Sequence, residues 1–318
     1  MKRALGRTGI HIAPLVFGGN VFGWTVDERG CAALLDRFID AGLNAIDTAN
    51  VYAKWVPGNR GGESETLIGR WLKAAPERRA KAVIITKVGI DMPGLGAGLA
   101  PQKILASAED SLRRLQTDYI DLYLSHRPDA STPIEETLRA YEQLIQQGKI
   151  RAIGASNSQS AGLRQALDVS AQKNLPRYEV EQPEYNLYDR DRYEGPLRDL
   201  CIAEGLGVIP YYSLASGFLS GKYRSKADLG KSVRGERVGN YLNERGMRIL
   251  QALDTVAAEQ RAQPAEIALA WLIGRKGVTA PIASATSIAQ VESLVRATQI
   301  TLSPSQTRLL DAAGASAD

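Results

Sequence analysis

Two cysteines, two histidines and three methionines among 318 residues leave this chain short of the residue types that build metal centres and disulfide frameworks. Cys31 and Cys201 lie far apart, outside any CxxC pair or Cys/His cluster, and read as small buried hydrophobes in a reducing compartment. With only His11 and His126 available, a metal-dependent hydrolase lacks ligands, so no metal is expected. No stretch approaches the ~20 apolar residues of a membrane span. The basic start Met1-Lys2-Arg3 is broken by Gly6, Thr8 and His11 before a signal-peptide core develops. The expectation is a cytoplasmic protein with no membrane partner. Runs of like charge are missing as well: 39 Lys and Arg against 35 Asp and Glu are dispersed, giving a formal net charge of +4 and no basis for nucleic-acid binding.

What is present is the composition of an ordinary globular protein, 44% hydrophobic and 23% charged. Short apolar runs of strand length recur at Leu15–Phe17, Asn44–Asp47, Val83–Lys87, Asp121–Ser125, Ile150–Gly154, Tyr178–Gln182, Gly207–Tyr211 and Val278–Ile282. Helical periodicity fills the gaps: Cys31, Leu34, Leu35, Phe38 and Ile39 recur at steps of three and four, and 65–72 and 104–115 behave alike. Strict alternation implies parallel strands joined by crossover helices. Periodicity does not separate an open doubly wound sheet from a closed barrel. Eight units favour closure, and Phe17-Gly18-Gly19-Asn20 is not the GxGxxG that an open dinucleotide-binding sheet places after its first strand. The run Gly94-Leu95-Gly96-Ala97-Gly98 reads as a flexible loop. The expected fold is α/β, a (β/α)8 TIM barrel forming one domain over residues 1–318. An N-terminal β-hairpin turning at Arg7-Thr8-Gly9 would plug its bottom. A long insertion, Ser213 to Asn243, follows the seventh strand, with helices then expected over 244–261 and 264–275.

In such a barrel the chemistry lies where chains leave the C-terminal strand ends. Asp47 closes the second strand with Tyr52 just beyond, Lys87 closes the third, and His126 follows the fourth. Each alone has a structural explanation: a turn cap, loop packing, a solvated strand end, a satisfied core histidine. Together they share one chemistry. A phenol of ordinary pKa about 10 is a poor proton donor at neutral pH, and a neighbouring ammonium favours its phenolate. Lys87 would supply that charge and draw the Tyr52 pKa down, Asp47 would hold Lys87, and His126 would orient a substrate oxygen where negative charge develops. No side chain donates a hydride, so a nicotinamide cofactor is required.

The ordered motifs Asn44-Ala45-Ile46-Asp47-Thr48-Ala49 with Tyr52, Gly62-Glu63-Ser64-Glu65 with Gly69, Ile85-Thr86-Lys87 and Ser125-His126-Arg127-Pro128-Asp129 are joined by three more. These are Ile153-Gly154-Ala155-Ser156-Asn157, Gln182-Pro183-Glu184-Tyr185-Asn186 and the run from Tyr211 to Gly221-Lys222-Tyr223. In this combination the chain resembles the aldo-keto reductase family nearly end to end. The resemblance implies reduction of an aldehyde or ketone with NADPH, NADH being the alternative, and the four roles above.

It also implies a cofactor track. Gly19 and Asn20 are among its expected residues. Ser156, Asn157 and Gln182 would hold the carboxamide, and Tyr211 would stack on the ring. Ser213, Leu214, Ser216, Gly217 and Lys222 would lie along the pyrophosphate. Arg234, Ser284, Ala285, Thr286 and Gln290 would lie at the adenosine end, where Arg234 with Thr286 suggests a 2′-phosphate. Residues 216–223 miss the P-loop pattern, with Ser216 and Tyr223 at its Gly and Ser/Thr positions. Two further positions depart from the family: Ser287 is neutral where many relatives carry Arg or Lys, and Glu292 falls one place before its expected position, held here by Ser293. Trp24, Trp55 and Arg127 are candidates for the substrate mouth. The partner expected is a small carbonyl or alcohol, and the protein a monomer or weak oligomer. A second reading is a regulatory subunit that binds NADPH without turnover, as potassium-channel β-subunits of this family do; nothing in the chain resembles an added partner-binding segment.

Overall fold

The computed structural model describes residues 1–315. Strands β1 (Arg3–Ala4) and β2 (His11–Ile12) form the antiparallel hairpin, with Arg3 opposite Ile12. Eight parallel strands follow: β3 (Val16–Gly18), β4 (Ala45–Asp47), β5 (Val83–Val88), β6 (Ile120–Ser125), β7 (Ile150–Ser156), β8 (Tyr178–Gln182), β9 (Gly207–Val208) and β10 (Ile282–Ala283). They neighbour one another in the order β10-β3-β4-β5-β6-β7-β8-β9. The two ends of that order meet: the Thr279 N–H donates to the Val208 carbonyl at 2.8 Å and the Ile282 N–H to the Pro210 carbonyl at 2.8 Å. The eighth strand thus begins at Ile282, although residues 279–281 already run beside β9; the apolar run from Val278 marks the approach to the strand.

Helices α1 (Glu28–Asp40), α2 (Glu63–Ala74), α3 (Glu77–Lys81), α4 (Pro101–Leu115), α5 (Ile134–Gln146), α6 (Ser160–Lys173) and α7 (Pro196–Glu204) precede the insertion. The insertion carries α8 (Gly235–Val238) and short 3-10 turns. It is followed by α9 (Glu244–Gln260), α10 (Pro264–Ile273), α11 (Ile288–Ala297) and α12 (Pro304–Gly314). Local chemistry starts and stops them. The Asp27 carboxylate caps α1 at the Gly30 N–H, Asn243 caps α9 at the Gly246 N–H, and Pro stands in the first turn of α4, α7, α10 and α12. Helix α9 ends at Gln260 because Arg261 turns left-handed at φ 53°.

The two-residue period of a strand sorts its side chains between two cores. Val16, Ala45, Val83, Ile85, Leu122, Leu124, Val180 and Ile282 point into the barrel. Phe17, Ile46, Ile84, Tyr123, Ile153 and Val208 point out to the helices. Leu5, Ile10 and Ile12 of the hairpin join the inner cluster and close the barrel from its N-terminal end, as expected. The plug fits tightly: a Cβ at Gly6, which has φ +60°, would lie 2.3 Å from the Glu179 carbonyl oxygen. Between the helical layer and the wall, Glu65 is wholly buried and accepts from Thr86 Oγ1 on β5 at 2.5 Å and Arg114 Nε on α4 at 2.7 Å. Gly69 lets α2 and α4 touch, since a Cβ there would lie 2.0 Å from the Arg114 carbonyl oxygen. No helix among the described residues is long and apolar enough to cross a membrane.

Candidate active site

The period that sends Ala45, Val83 and Ile85, Leu122 and Leu124, and Val180 inward continues to Asp47, Lys87, His126 and Gln182. Four polar residues therefore crown the apolar interior at its C-terminal rim. Tyr52 reaches the same point from the turn after β4. Lys87 Nζ lies 2.7 Å from Asp47 Oδ2, 2.8 Å from the Tyr52 hydroxyl and 2.7 Å from the Thr48 carbonyl oxygen. Three N–H groups meet three acceptors, so the buried ammonium is fully satisfied. Asp47 is satisfied on both oxygens, Oδ1 accepting from Gln182 Nε2 at 2.9 Å and Oδ2 also from the Tyr52 hydroxyl at 3.2 Å. The His126 ring stands 6.0 Å from the Tyr52 ring at 74°, and its Nδ1 is buried without a partner.

The electrostatics correct one expectation. The Tyr52 phenol is pushed well above its ordinary value by burial and by the Asp47 carboxylate, not drawn down. Burial likewise lowers Lys87 despite the opposing pull of Asp47, and burial with Lys87 and Arg127 drives His126 well below the ordinary imidazole value. A low-dielectric pocket disfavours every charge, and one ammonium bonded to Asp47 as well as to the phenol does not reverse that. At rest, therefore, the phenol keeps its proton and the imidazole is neutral.

Next along the rim, Ser156, Asn157, Gln182 and Tyr211 are brought together by bonds among themselves. Ser156 Oγ donates to the Gln182 carbonyl at 2.8 Å, Asn157 Nδ2 to the His126 carbonyl at 3.0 Å, and the Tyr211 hydroxyl to Asn157 Oδ1 at 2.6 Å. In the insertion, Ala215, Ser216 and Gly217 are consecutive left-handed residues at φ 47°, 58° and 99°. After β10, Ser284 Oγ donates to Asn20 Oδ1 at 2.7 Å, and the Thr286 N–H donates to Gln290 Oε1 at 2.7 Å. On the other side Trp24 and Trp55 meet edge to face at 5.7 Å, and Trp55 lies 6.1 Å from Tyr52. Arg127 is exposed beside His126.

A model of the aldo/keto reductase family matches residues 14–315. The chain belongs to that family. Among known relatives it is 33% identical to an uncharacterized oxidoreductase, YrpG, of Bacillus subtilis, over 96% of this chain and 94% of that protein. It is equally 33% identical to a probable voltage-gated potassium channel subunit beta of Oryza sativa, over 93% and 90%. It is 29% identical to the aldo-keto reductase AMT2 of Alternaria alternata, over 97% and 90%. The resemblance drawn from motifs is thereby shown, as is an oxidoreductase family membership.

In this aldo/keto reductase the rim has a donor set that fits a nicotinamide carboxamide: amide and hydroxyl groups of Ser156, Asn157 and Gln182 beside the Asp47, Tyr52 and Lys87 cluster, with a glycine-containing left-handed turn beyond. Arg234 lies over the Trp24 ring at 5.2 Å with its Nη2 buried and unpartnered, an N–H available to an anion. Glu292 is engaged by α1. It is bound bidentately by Arg37 of α1 at 2.5 and 2.9 Å, while Ser293 Oγ donates to Glu266. Among the described residues no group of His, Cys, Asp or Glu could hold a metal ion.

Reading residue types alone missed two contributors, Thr48 and Tyr212, and a second role of Gln182, which was expected only at the carboxamide. The Thr48 carbonyl is a backbone acceptor. Gln182 supports Asp47. Tyr212, half-exposed at φ 53°, packs 5.0 Å from Tyr211 and accepts from Arg237 at 2.9 Å. Backbone strain is the signal that marks the region. Of the positive-φ residues other than glycine, Gln116, Asn174 and Arg261 end helices, whereas Ala53, Asn157, Tyr212, Ala215 and Ser216 all lie on loops of this rim.

Proposed function

We propose that this aldo/keto reductase uses NADPH to reduce an aldehyde or ketone to an alcohol, reversibly and without a metal, with Tyr52 as proton donor. The observation that carries this reading is the Lys87 ammonium bonded at once to Asp47 and to the Tyr52 hydroxyl. When bound, the reduced nicotinamide supplies the hydride. Tyr52 then gives its proton to the carbonyl oxygen. Lys87, already donating to the phenol oxygen, stabilises the phenolate as it forms, so its benefit falls on the transition state. Asp47 keeps Lys87 charged and aimed. His126, neutral, donates one N–H to the substrate oxygen. Asp47 and Lys87 act on the phenol, and Tyr52 and His126 touch substrate.

The carboxamide is assigned to Ser156, Asn157 and Gln182, the ring face to Tyr211, and the pyrophosphate to Ser213, Leu214, Ser216, Gly217 and Lys222, with Gly19 and Asn20 alongside. Ser284, Thr286 and Gln290 are assigned to the adenosine end, and Arg234 to a phosphate. Preference for NADPH is supported by Arg234, whose buried Nη2 has no partner within the protein and suits an added phosphate. Trp24, Trp55 and Arg127 line the substrate entrance. Two free, buried cysteines suit the reducing cytoplasm.

The test is a panel of aldehydes, sugars, quinones and keto-steroids with NADPH and NADH, followed by loss of reduced-cofactor absorbance. Turnover with a higher kcat/KM for NADPH is expected. NADH equal or better would overturn the cofactor preference. Tight NADPH binding with no turnover of any carbonyl would overturn the enzyme and favour a regulator, the role suggested by the relative named a channel subunit.

A further inference from the structure

Glu181 is a wholly buried acid that the mechanism does not use. It stands between Val180, which points into the barrel, and Gln182, which bonds Asp47, so it faces outward behind the rim. Its Oε1 accepts the Ser158 N–H at 3.1 Å, and its Oε2 is buried with no partner. Ser158 closes the turn that carries Ser156 and Asn157. That turn is strained, with Asn157 at φ 61°, and is tied on its inner side by the Asn157 N–H and Ser156 Oγ, both donating to the Gln182 carbonyl at 3.3 and 2.8 Å. Glu181 is the tie on its outer side.

We propose that Glu181 is a positioning residue for the cofactor: as an uncharged acid it fixes the Ser156–Ser158 turn from behind, and its ionisation loosens that turn and weakens binding. This rests on the cofactor reading above. The titratable groups around Glu181 are Tyr178 on its own strand, Tyr193 ahead of α7 and Cys201 on α7, each holding its proton more firmly because of burial. Among the described residues no Lys or Arg forms an ion pair with Glu181. Burial accordingly pushes its carboxyl up to about 8, opposed only by Ser158. Once ionised, Glu181 still accepts from Ser158, but its Oε2 has no donor, and that unpaired oxygen is costly enough that the wall shifts to hydrate it and carries the turn with it.

The experiment is NADPH titration by fluorescence on the full chain across a pH window centred on about 8, for wild type, Glu181→Gln and Glu181→Ala. Wild-type Kd is expected to rise about tenfold through that window, as the displaced turn gives up about one hydrogen bond to the cofactor. Glu181→Gln keeps an oxygen for Ser158 and cannot ionise, so its Kd stays near the neutral-pH wild-type value throughout. Glu181→Ala is about tenfold weaker at every pH. Melting supplies a readout independent of ligand. A carboxyl raised in the folded state gives stability that is full below the ordinary Glu value and lost as pH rises through about 8. Glu181→Gln lacks that loss and should melt above the wild type at the alkaline end. An alkaline rise in Kd as large in Glu181→Gln as in wild type would implicate another group, such as Lys87, and overturn the proposal. So would a pH-independent wild type that still binds NADPH, which leaves the cofactor reading standing. Failure of wild type to bind NADPH at any pH would overturn both.

Discussion

The two ends of the barrel are filled by opposite chemistry. At the N-terminal end Leu5, Ile10 and Ile12 close the interior with hydrocarbon. At the C-terminal rim the same inward positions carry Asp47, Lys87, His126 and Gln182. Burying a leucine is strongly favourable, whereas a buried ion pair roughly breaks even against hydrocarbon of equal volume. The difference teaches that the plug holds the barrel together, while the rim keeps charges that add little to stability and to which we assign a chemical use. Stability and turnover should therefore respond to different residues.

The sharpest break of that division is Lys87→Met, where both suffer. It strands Asp47 in a buried site, which costs about 3–5 kcal/mol, and it removes stabilisation of the forming phenolate, so kcat should fall by about 10²-fold or more. Urea unfolding and steady-state kinetics measure the two; normal turnover in a folded variant would remove Lys87 from the mechanism. Leu5→Ala lies wholly on the other side, with a stability loss of about 2–5 kcal/mol and an unchanged kcat at temperatures where it stays folded. A smaller effect is pH-dependent. Burial lowers the Lys87 pKa from 10.5, so the ammonium is present at low pH and lost as pH rises. An alkaline limb in kcat should fall below pH 10.5, and a rate still flat at that pH would contradict it. Smallest of all is Glu292→Gln, whose carboxylate serves Arg37; the ratio of kcat/KM for NADPH and NADH should not move, and a shift would bring Glu292 back to the cofactor.

Much of this was legible in the residues because strand and helix periods are local. The eight strands, the hairpin and the helices after the insertion fall close to their expected positions, and the inward phase of Asp47 and Lys87 follows from counting by two along β4 and β5. The error lay in charge. Lys87 stands beside Tyr52 as expected, but sequence carries no measure of burial, and burial together with Asp47 outweighs the ammonium at the phenol. Tyr212 and Thr48 escaped for a different reason. One acts through a strained backbone and the other through a carbonyl, and neither is encoded in side-chain type. The misplaced Glu292 was visible as a departure, but only the partner across the helix layer, Arg37, shows what it does.

The central claim is that Tyr52 supplies the proton at a rim built for chemistry and not for stability. The direct measurement is Tyr52→Phe compared with wild type in single-turnover NADPH oxidation, with NADPH affinity and thermal midpoint determined on the same preparations. Loss of the donor should slow carbonyl reduction by about 10²–10⁴-fold while NADPH affinity stays put and stability falls only by the cost of one unmet Lys87 N–H, about 1–3 kcal/mol. Reduction by Tyr52→Phe at the wild-type rate would contradict the account.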